Sequence, residues 1–419
     1  MLGSRESKKP SDNKPDVKQN NKALCVCALD FGKTYSGYAY SLRLKPDDIC
    51  CPHWNTSTGC TTLINHKTPT TILLYEGHKL IGFGYEAIEK FLDLNVEERK
   101  DFNFFQGFQM NLYDKFQSGE NLSVTTKISD FNGKQVPAVD VFSTAIKYMK
   151  DHFLNENEAR GASLLEKDIK WVLTVPAMWG DPEKEFMIQA AKKTGIEKPR
   201  LATVLESEAA FIFCKDLPAK NFESGFDNID DKEKYKSLNT RTITISPSFL
   251  EKYKEENGID ISKRTLETQY GKSLKWVGDK VKINKDLFQS FFHPANDKIV
   301  HYIREILSKP EVNETKVILM VGGFSEWEIV QDAIRKAFPE CCVLIPLQAG
   351  VAVLKGAVLF GHSSISDDDN TPVLEESDNR PVVALDNTKV NNATDNTRRR
   401  EDRRSYAAKN RGVKKCSIL

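Results

Sequence analysis

Residues 24–42, LCVCALDFGKTYSGYAYSL, hold two β-rich runs on either side of a turn at Gly32. The first run is almost wholly apolar, as a strand covered on both faces requires; the second alternates aromatic and small residues. A hairpin follows from that pattern. A glycine turn after an apolar strand can aim backbone N–H groups at a phosphate, because the missing side chain lets ligand and backbone approach. Asp30, at the strand end, is placed to hold Mg²⁺ through water, and Lys33 and Thr34 to meet phosphate directly. A tight strand connection with no ligand is an equally natural reading of this turn alone. Gly32-Lys33-Thr34 also invites a P-loop, but that motif needs a glycine five positions earlier, where Cys27 stands, and opens a helix; here an aromatic strand follows, so it fails.

Outward from this stretch, TILLY (71–75) predicts a short strand, and Phe142, Ala145, Ile146, Met149 and Phe153 recur at helical spacing. IKWVLTV (169–175) predicts a strand. Asp181-Pro182-Glu183 then reads as a helix start, with Asp181 as the N-cap, and Phe186, Met187, Ala190 and Ala191 as the buried stripe. LATVL and a helix from Glu208 to Cys214 complete a strand–helix–strand–helix order, the mark of an α/β layer. Eleven of the 22 residues from Lys215 to Lys236 are charged, which predicts a solvated linker. Order resumes at RTITISPSFLEKYKEENG, continues through a strand pair around Trp276 and Ile283, and leads to a helix from Ala295 to Leu307. KVILMVGGFSEWEIVQDAIRKAF (316–338) is strand, Gly-Gly turn and amphipathic helix; VLIP and AGVAVLKGAVLFG add a strand and a helix, and the core is expected to end at Gly361.

The 419 residues are 40% hydrophobic and 28% charged with net charge +1, so the totals point away from a general nucleic-acid binder. The polar start lacks the apolar run of a secretory signal, and nine cysteines then predict reduced thiols in the cytosol or nucleus, with a cytoplasmic location expected. Cys50, Cys51, His53, Cys60 and His66 lie close together, but their spacing fits no paired CxxC zinc module, so an insert with free thiols is expected.

Taken in order, DFGKTYS, VLTVPAMWGDPEKEFMIQAAKKTGI, LESEAAFIFCKDLP, VILMVGGFSEWEIVQDAIRKAF and LKGAVLFG resemble the ATPase domain of the heat-shock 70 kDa family over residues 23–362, most like its divergent member-12 branch. The resemblance implies an α/β, actin-like and ribonuclease H-like fold of two lobes clamping ATP or ADP with Mg²⁺. It implies Asp30 as the metal-associated residue, Gly32, Lys33, Thr34 and Tyr35 at phosphate, and Glu206 as the catalytic glutamate that positions metal and attacking water. Gly322, Gly323 and Ser325 would line the adenosine.

Departures matter as much. Lys33 replaces the family's usual small hydroxyl residue, Glu326 stands where the classical chaperones have an arginine, and FFQGFQM (104–110) lacks the lysine expected near the γ-phosphate. The second phosphate loop, which the family places just after CKDLP, is missing, and with it the start of the second lobe. The predicted organisation is a disordered lead at 1–22, the first lobe and start of the second at 23–214, a charged linker at 215–240, the rest of the second lobe at 241–361, and a disordered acidic-then-basic tail at 362–419. ATP hydrolysis stays open on this reading. A scaffold that keeps the fold without nucleotide is the alternative, and a small-molecule kinase of the same superfamily lacks a substrate-binding aspartate loop. Protein clients and co-chaperones are implied but not specified. Cys416-Ser-Ile-Leu419 fits the C-a-a-X pattern with nine Lys/Arg between Arg398 and Lys415, which predicts prenylation at Cys416 and peripheral membrane attachment, although serine at the first aliphatic position departs from the pattern.

Overall fold

The computed structural model describes residues 23–54, 65–76, 79–117, 123–161, 164–222, 240–245, 247–366 and 417–418. The lead at 1–22, Cys60, most of the charged linker, most of the tail and Cys416 lie outside the described residues.

β1 (Cys25–Phe31) and β2 (Tyr35–Leu42) form the antiparallel hairpin that the opening stretch predicts. β3 (Thr68–Pro69) extends it, and β4 (Thr71–Tyr75), β5 (Lys79–Phe83) and β6 (Phe102–Gln106) make a separate sheet in the order β5-β4-β6. α1 (Tyr85–Asp93) and α2 (Phe108–Gln117) flank that sheet, and a small hairpin of β7 (Lys127–Ser129) and β8 (Gln135–Pro137) leads into α3 (Ala138–Ala159). β9 (Ile169–Val175), α4 (Asp181–Lys192), β10 (Leu201–Leu205) and α5 (Glu206–Cys214) follow. The α4 start differs from expectation. Gly180 is the N-cap and Asp181 is already helical, with no side-chain cap bond, because Pro182 fixes the first turn without one.

The main sheet runs β10-β9-β1-β2-β3, with β9 parallel to both β1 and β10. β1 lies in its interior, and its two faces serve two cores. Cys25, Cys27, Leu29 and Phe31 pack with Phe142, Phe153, Trp171 and Phe186, whereas Val26 and Ala28 pack with Leu354, Ala357 and Val358. Strand alternation with both faces covered is why the sequence there reads as an unbroken apolar run.

Beyond the linker, β11 (Thr240–Thr244), β12 (Leu274–Val277) and β13 (Lys280–Asn284) form a sheet in the order β11-β13-β12, with α6 (Pro247–Asn257), α7 (Ile261–Leu266) and α8 (Lys285–Ser290) around it, and α9 (His293–Leu307) follows. β14 (Val317–Leu319), α10 (Glu328–Ala337), β15 (Cys342–Leu344) and α11 (Ala352–Ser366) close the body, and β16 (Ser417–Ile418) joins β14 in a sheet β15-β14-β16. β14–α10–β15 repeats β9–α4–β10: strand, helix, parallel neighbour. In the main sheet the other side of β9 carries β1 and the hairpin; beside β14, among the described residues, only two residues of β16 stand there. Residues 215–222, assigned to the linker on composition, are seated instead, with Phe222 bridged to Pro346 and the Leu347 amide donating to the Asn221 carbonyl at 2.8 Å.

α5 and α11 pack together between these sheets. Gly356 lies against the backbone of Ala209 so closely that any Cβ would overlap the Ala209 carbonyl. α11 also continues to Ser366, five residues past the expected end of the core, because Gly361 is a contact point rather than a stop: a Cβ there would strike Val26 and Val172.

Candidate functional site

The β1–β2 turn brings Asp30, Gly32, Lys33, Thr34 and Tyr35 together. Asp30 is 2% exposed at the end of β1, Gly32 is buried, Lys33 and Thr34 are exposed on the rim, and Tyr35 opens β2 half-buried. The turn is closed by the Gly32 amide donating to the Tyr35 carbonyl at 3.2 Å. Thr70 braces it from the β3–β4 segment: its hydroxyl donates to the Gly32 carbonyl at 2.7 Å and lies 2.7 Å from the Ser36 hydroxyl, and its amide donates to the Thr34 carbonyl at 2.9 Å. Gly107, at φ 59, is held by its own amide bond to the Thr70 carbonyl, and a Cβ there would stand 3.2 Å from the Lys33 carbonyl oxygen. The FFQGFQM segment therefore supports the turn with backbone.

One buried lysine at this turn was missed by sequence reading. Lys67, 8% exposed, donates from Nζ to Asp30 Oδ2 at 2.8 Å. The Thr174 hydroxyl, at the end of β9, donates to Asp30 Oδ1. A buried carboxylate needs such partners, since an isolated charge out of water is strongly unfavourable. The signal available was weak: His-Lys-Thr-Pro-Thr-Thr (66–71) looks like a polar loop, and only burial of Lys67, Thr68, Thr70 and Thr71 shows otherwise.

Glu206 is the first residue of α5, half-buried, directly after β10. Gly322, Gly323 and Ser325 sit together on a second turn. Gly322 adopts φ 84 and ψ 161, a conformation open almost only to glycine, and its amide donates to the Ala349 carbonyl at 2.8 Å. The buried Ser325 hydroxyl donates to the Gly322 carbonyl at 2.6 Å, and Gln331 Nε2 donates to the Ser325 carbonyl at 2.9 Å. Glu326, in place of the family's arginine, accepts from the Gly350 amide at 2.8 Å, so it fastens this turn to the lead-in of α11. α11 thus receives the second turn at its start, while its Leu354 packs beneath Gly37 of β2, next to the first.

Near the first turn, His53 and His66 lie with ring centroids 4.6 Å apart, and His66 Nδ1 is 3.2 Å from the Cys51 carbonyl. Burial pushes the His66 pKa down, and the facing His53 adds to it. Among the described residues no group of three or more His, Cys, Asp or Glu side chains is arranged to hold a metal ion. The residues of the first turn fit a phosphate, with Lys33 and Thr34 on its rim and the Lys67 cation beneath. Both Asp30 oxygens are engaged within the protein, so Asp30 would meet Mg²⁺ only through water, with phosphate oxygens and water filling the other positions around the ion.

Fold and site together define an α/β protein consistent with the actin-like ATPase fold. No family model matches the chain. It is similar to the human heat shock 70 kDa protein 12A, 27% identical over 487 residues, which covers 84% of this chain and 71% of that protein. It is also similar to the human heat shock 70 kDa protein 12B, 25% identical over 490 residues, covering 84% of this chain and 70% of that protein. A chaperone protein HscA homolog of Rickettsia conorii matches at 22% identity over 59% of the chain and 44% of its own length. These similarities support the member-12 branch of the heat-shock 70 kDa family. The alignment with 12A is longer than the 419 residues of this chain, so that protein carries segments with no counterpart here. No helix among the described residues is long and apolar enough to cross a membrane.

Proposed function

We propose that this chain is a chaperone-related, heat-shock-70-like protein of the member-12 type that binds ATP or ADP with Mg²⁺ and has weak or lost ATPase activity. The observation that carries the reading is the Asp30–Lys67 pair set under the braced glycine turn of β1 and β2. Gly32, Lys33, Thr34 and Tyr35 would bind phosphate, with Lys67 as the buried cation behind them. Asp30 would hold the metal through water, Glu206 would orient the attacking water, and Gly322, Gly323 and Ser325 would pass the adenosine. Mg²⁺ would neutralise phosphate charge when it arrives with the nucleotide.

Loss of the second phosphate loop explains why the activity is weak. Two or three missing charge-assisted hydrogen bonds, at ~1.5–3 kcal/mol each, remove roughly 3–9 kcal/mol of binding. Each ~1.4 kcal/mol is tenfold, so even the low end weakens a micromolar site about a hundredfold. Among the described residues no counterpart of the β1–β2 hairpin stands beside β14, which supports this reading, as does the length of the alignment with 12A.

A second reading is a scaffold that works without nucleotide through protein clients. It is favoured by the engagement of both Asp30 oxygens within the protein, which completes the pair without a ligand. Thermal melting with and without Mg-ATP separates the two. Ligand at 100-fold over Kd adds ~2.7 kcal/mol to stability. An unchanged melt at millimolar Mg-ATP would sink the nucleotide reading and leave the scaffold. The cytoplasmic location and membrane attachment through Cys416 are tested by fractionating a Cys416→Ser variant: equal membrane association removes the lipid.

A further inference from the structure

β14 has two edges, and the hydrogen bonds tell them apart. The Lys316 carbonyl accepts from the Cys342 amide at 2.8 Å, and the Met320 amide donates to the Leu344 carbonyl at 2.8 Å, so residues 316 and 320 turn their backbone groups toward β15. Alternation along a parallel strand turns Leu319 the other way. On that side the register pairs Ile318 with Ser417 and Leu319 with Ile418, in parallel, with α5 lying beside the added strand. The repeat in the fold says what belongs there. The equivalent edge of β9 carries β1, also parallel, over five residue pairs from Cys25–Ile169 to Leu29–Leu173. β14 is buried and apolar like β9, so a bare edge there would leave main-chain groups unpaired inside the protein.

We propose that the outer edge of β14 is a strand-acceptor site, and that residues 417–418 of this same chain are its occupant. The pairing is addition of a strand to a sheet edge, in which main-chain hydrogen bonds supply the attraction. Two residue pairs replace the five found at β9, so the added strand is weakly held and exchangeable.

Amide hydrogen exchange tests this. In the full chain, peptides covering Val317–Leu319 are expected to exchange slowly. In a chain ending at Cys416 they are expected to exchange about tenfold faster or more. Ile418→Pro, which removes a ladder donor while keeping the length, should behave like the shortened chain, and Ile418→Val like the original. Added synthetic KKCSIL peptide should restore protection in the shortened chain. Equal exchange in all four proteins would overturn the proposal. Protection that falls on dilution would assign the strand to a second copy and overturn the same-chain assignment.

Discussion

Lys67 and Asp30, 37 residues apart in sequence, form an ion pair at 2.8 Å with both side chains almost fully out of water. Such a pair is much more costly to break on one side than to replace as a whole, because removing one partner leaves a buried charge without compensation. Lys67→Met is therefore expected to destabilise the protein by about 3–5 kcal/mol. The double variant Lys67→Met with Asp30→Asn should regain much of that loss. Urea midpoints of the four proteins of this cycle measure both quantities; a Lys67→Met effect below about 1 kcal/mol, the range of exposed pairs, would show that the charges do not depend on one another.

Gly322 is tied to its conformation by what it holds. Its amide reaches Ala349 and its carbonyl accepts from Ser325, so the turn cannot relax away from φ 84 and ψ 161 without losing both. Gly322→Ala is expected to lose about 1–3 kcal/mol through backbone strain. Ser325→Ala should lose about 1 kcal/mol, since only one hydrogen bond goes. Thermal melts would rank them in that order, and a neutral Gly322→Ala would mean that the turn is softer than its hydrogen bonds imply.

The α5–α11 crossing depends on an absent side chain. Gly356→Ala would drive a methyl into the Ala209 carbonyl, and backbone cannot step aside as a flexible side chain can. The expected loss is about 3 kcal/mol, at the upper end for overpacking. Gly133→Ala is the control: nothing stands near a Cβ there, so only the strain of its φ of 83 is felt. Chemical denaturation should separate the two variants clearly.

What could be read from the chain was what repeats along it. β1 and β9 announce themselves because burial on both faces leaves few polar positions, and α10 because its apolar residues recur at helical spacing. The turn glycines are legible for the same local reason. Lys67 was not legible, since a lysine before a threonine-rich strand carries no period, and its partner lies across a sheet. Gly361 misled in the opposite direction: local rules read glycine as a helix stop, whereas close approach to Val26 and Val172 is a tertiary demand. β16 is two residues long, far from β14 in sequence, and no pattern marks it.

His152 is one of three histidines whose burial makes the fold sensitive to acid. Its Nδ1 lies 2.9 Å from the Tyr38 hydroxyl, its ring stacks on Trp54 with centroids 4.5 Å apart, and burial pushes its pKa below the ordinary 6.5. His66 and His362 are lowered as well, each mainly by burial. For a base whose folded pKa is depressed, the unfolded chain takes up the proton first as pH falls. Stability is then complete above about 6.5 and declines below it until the folded pKa is reached, by at most ~1.4 kcal/mol per pH unit for each histidine. The melting temperature is therefore expected to drop between pH 7.5 and 5.5. In His152→Gln, which removes one of the three titrations, that drop should be shallower even though the variant starts less stable. An unchanged slope would place the acid sensitivity in His66 and His362, and a rising melting temperature on acidification would contradict all three.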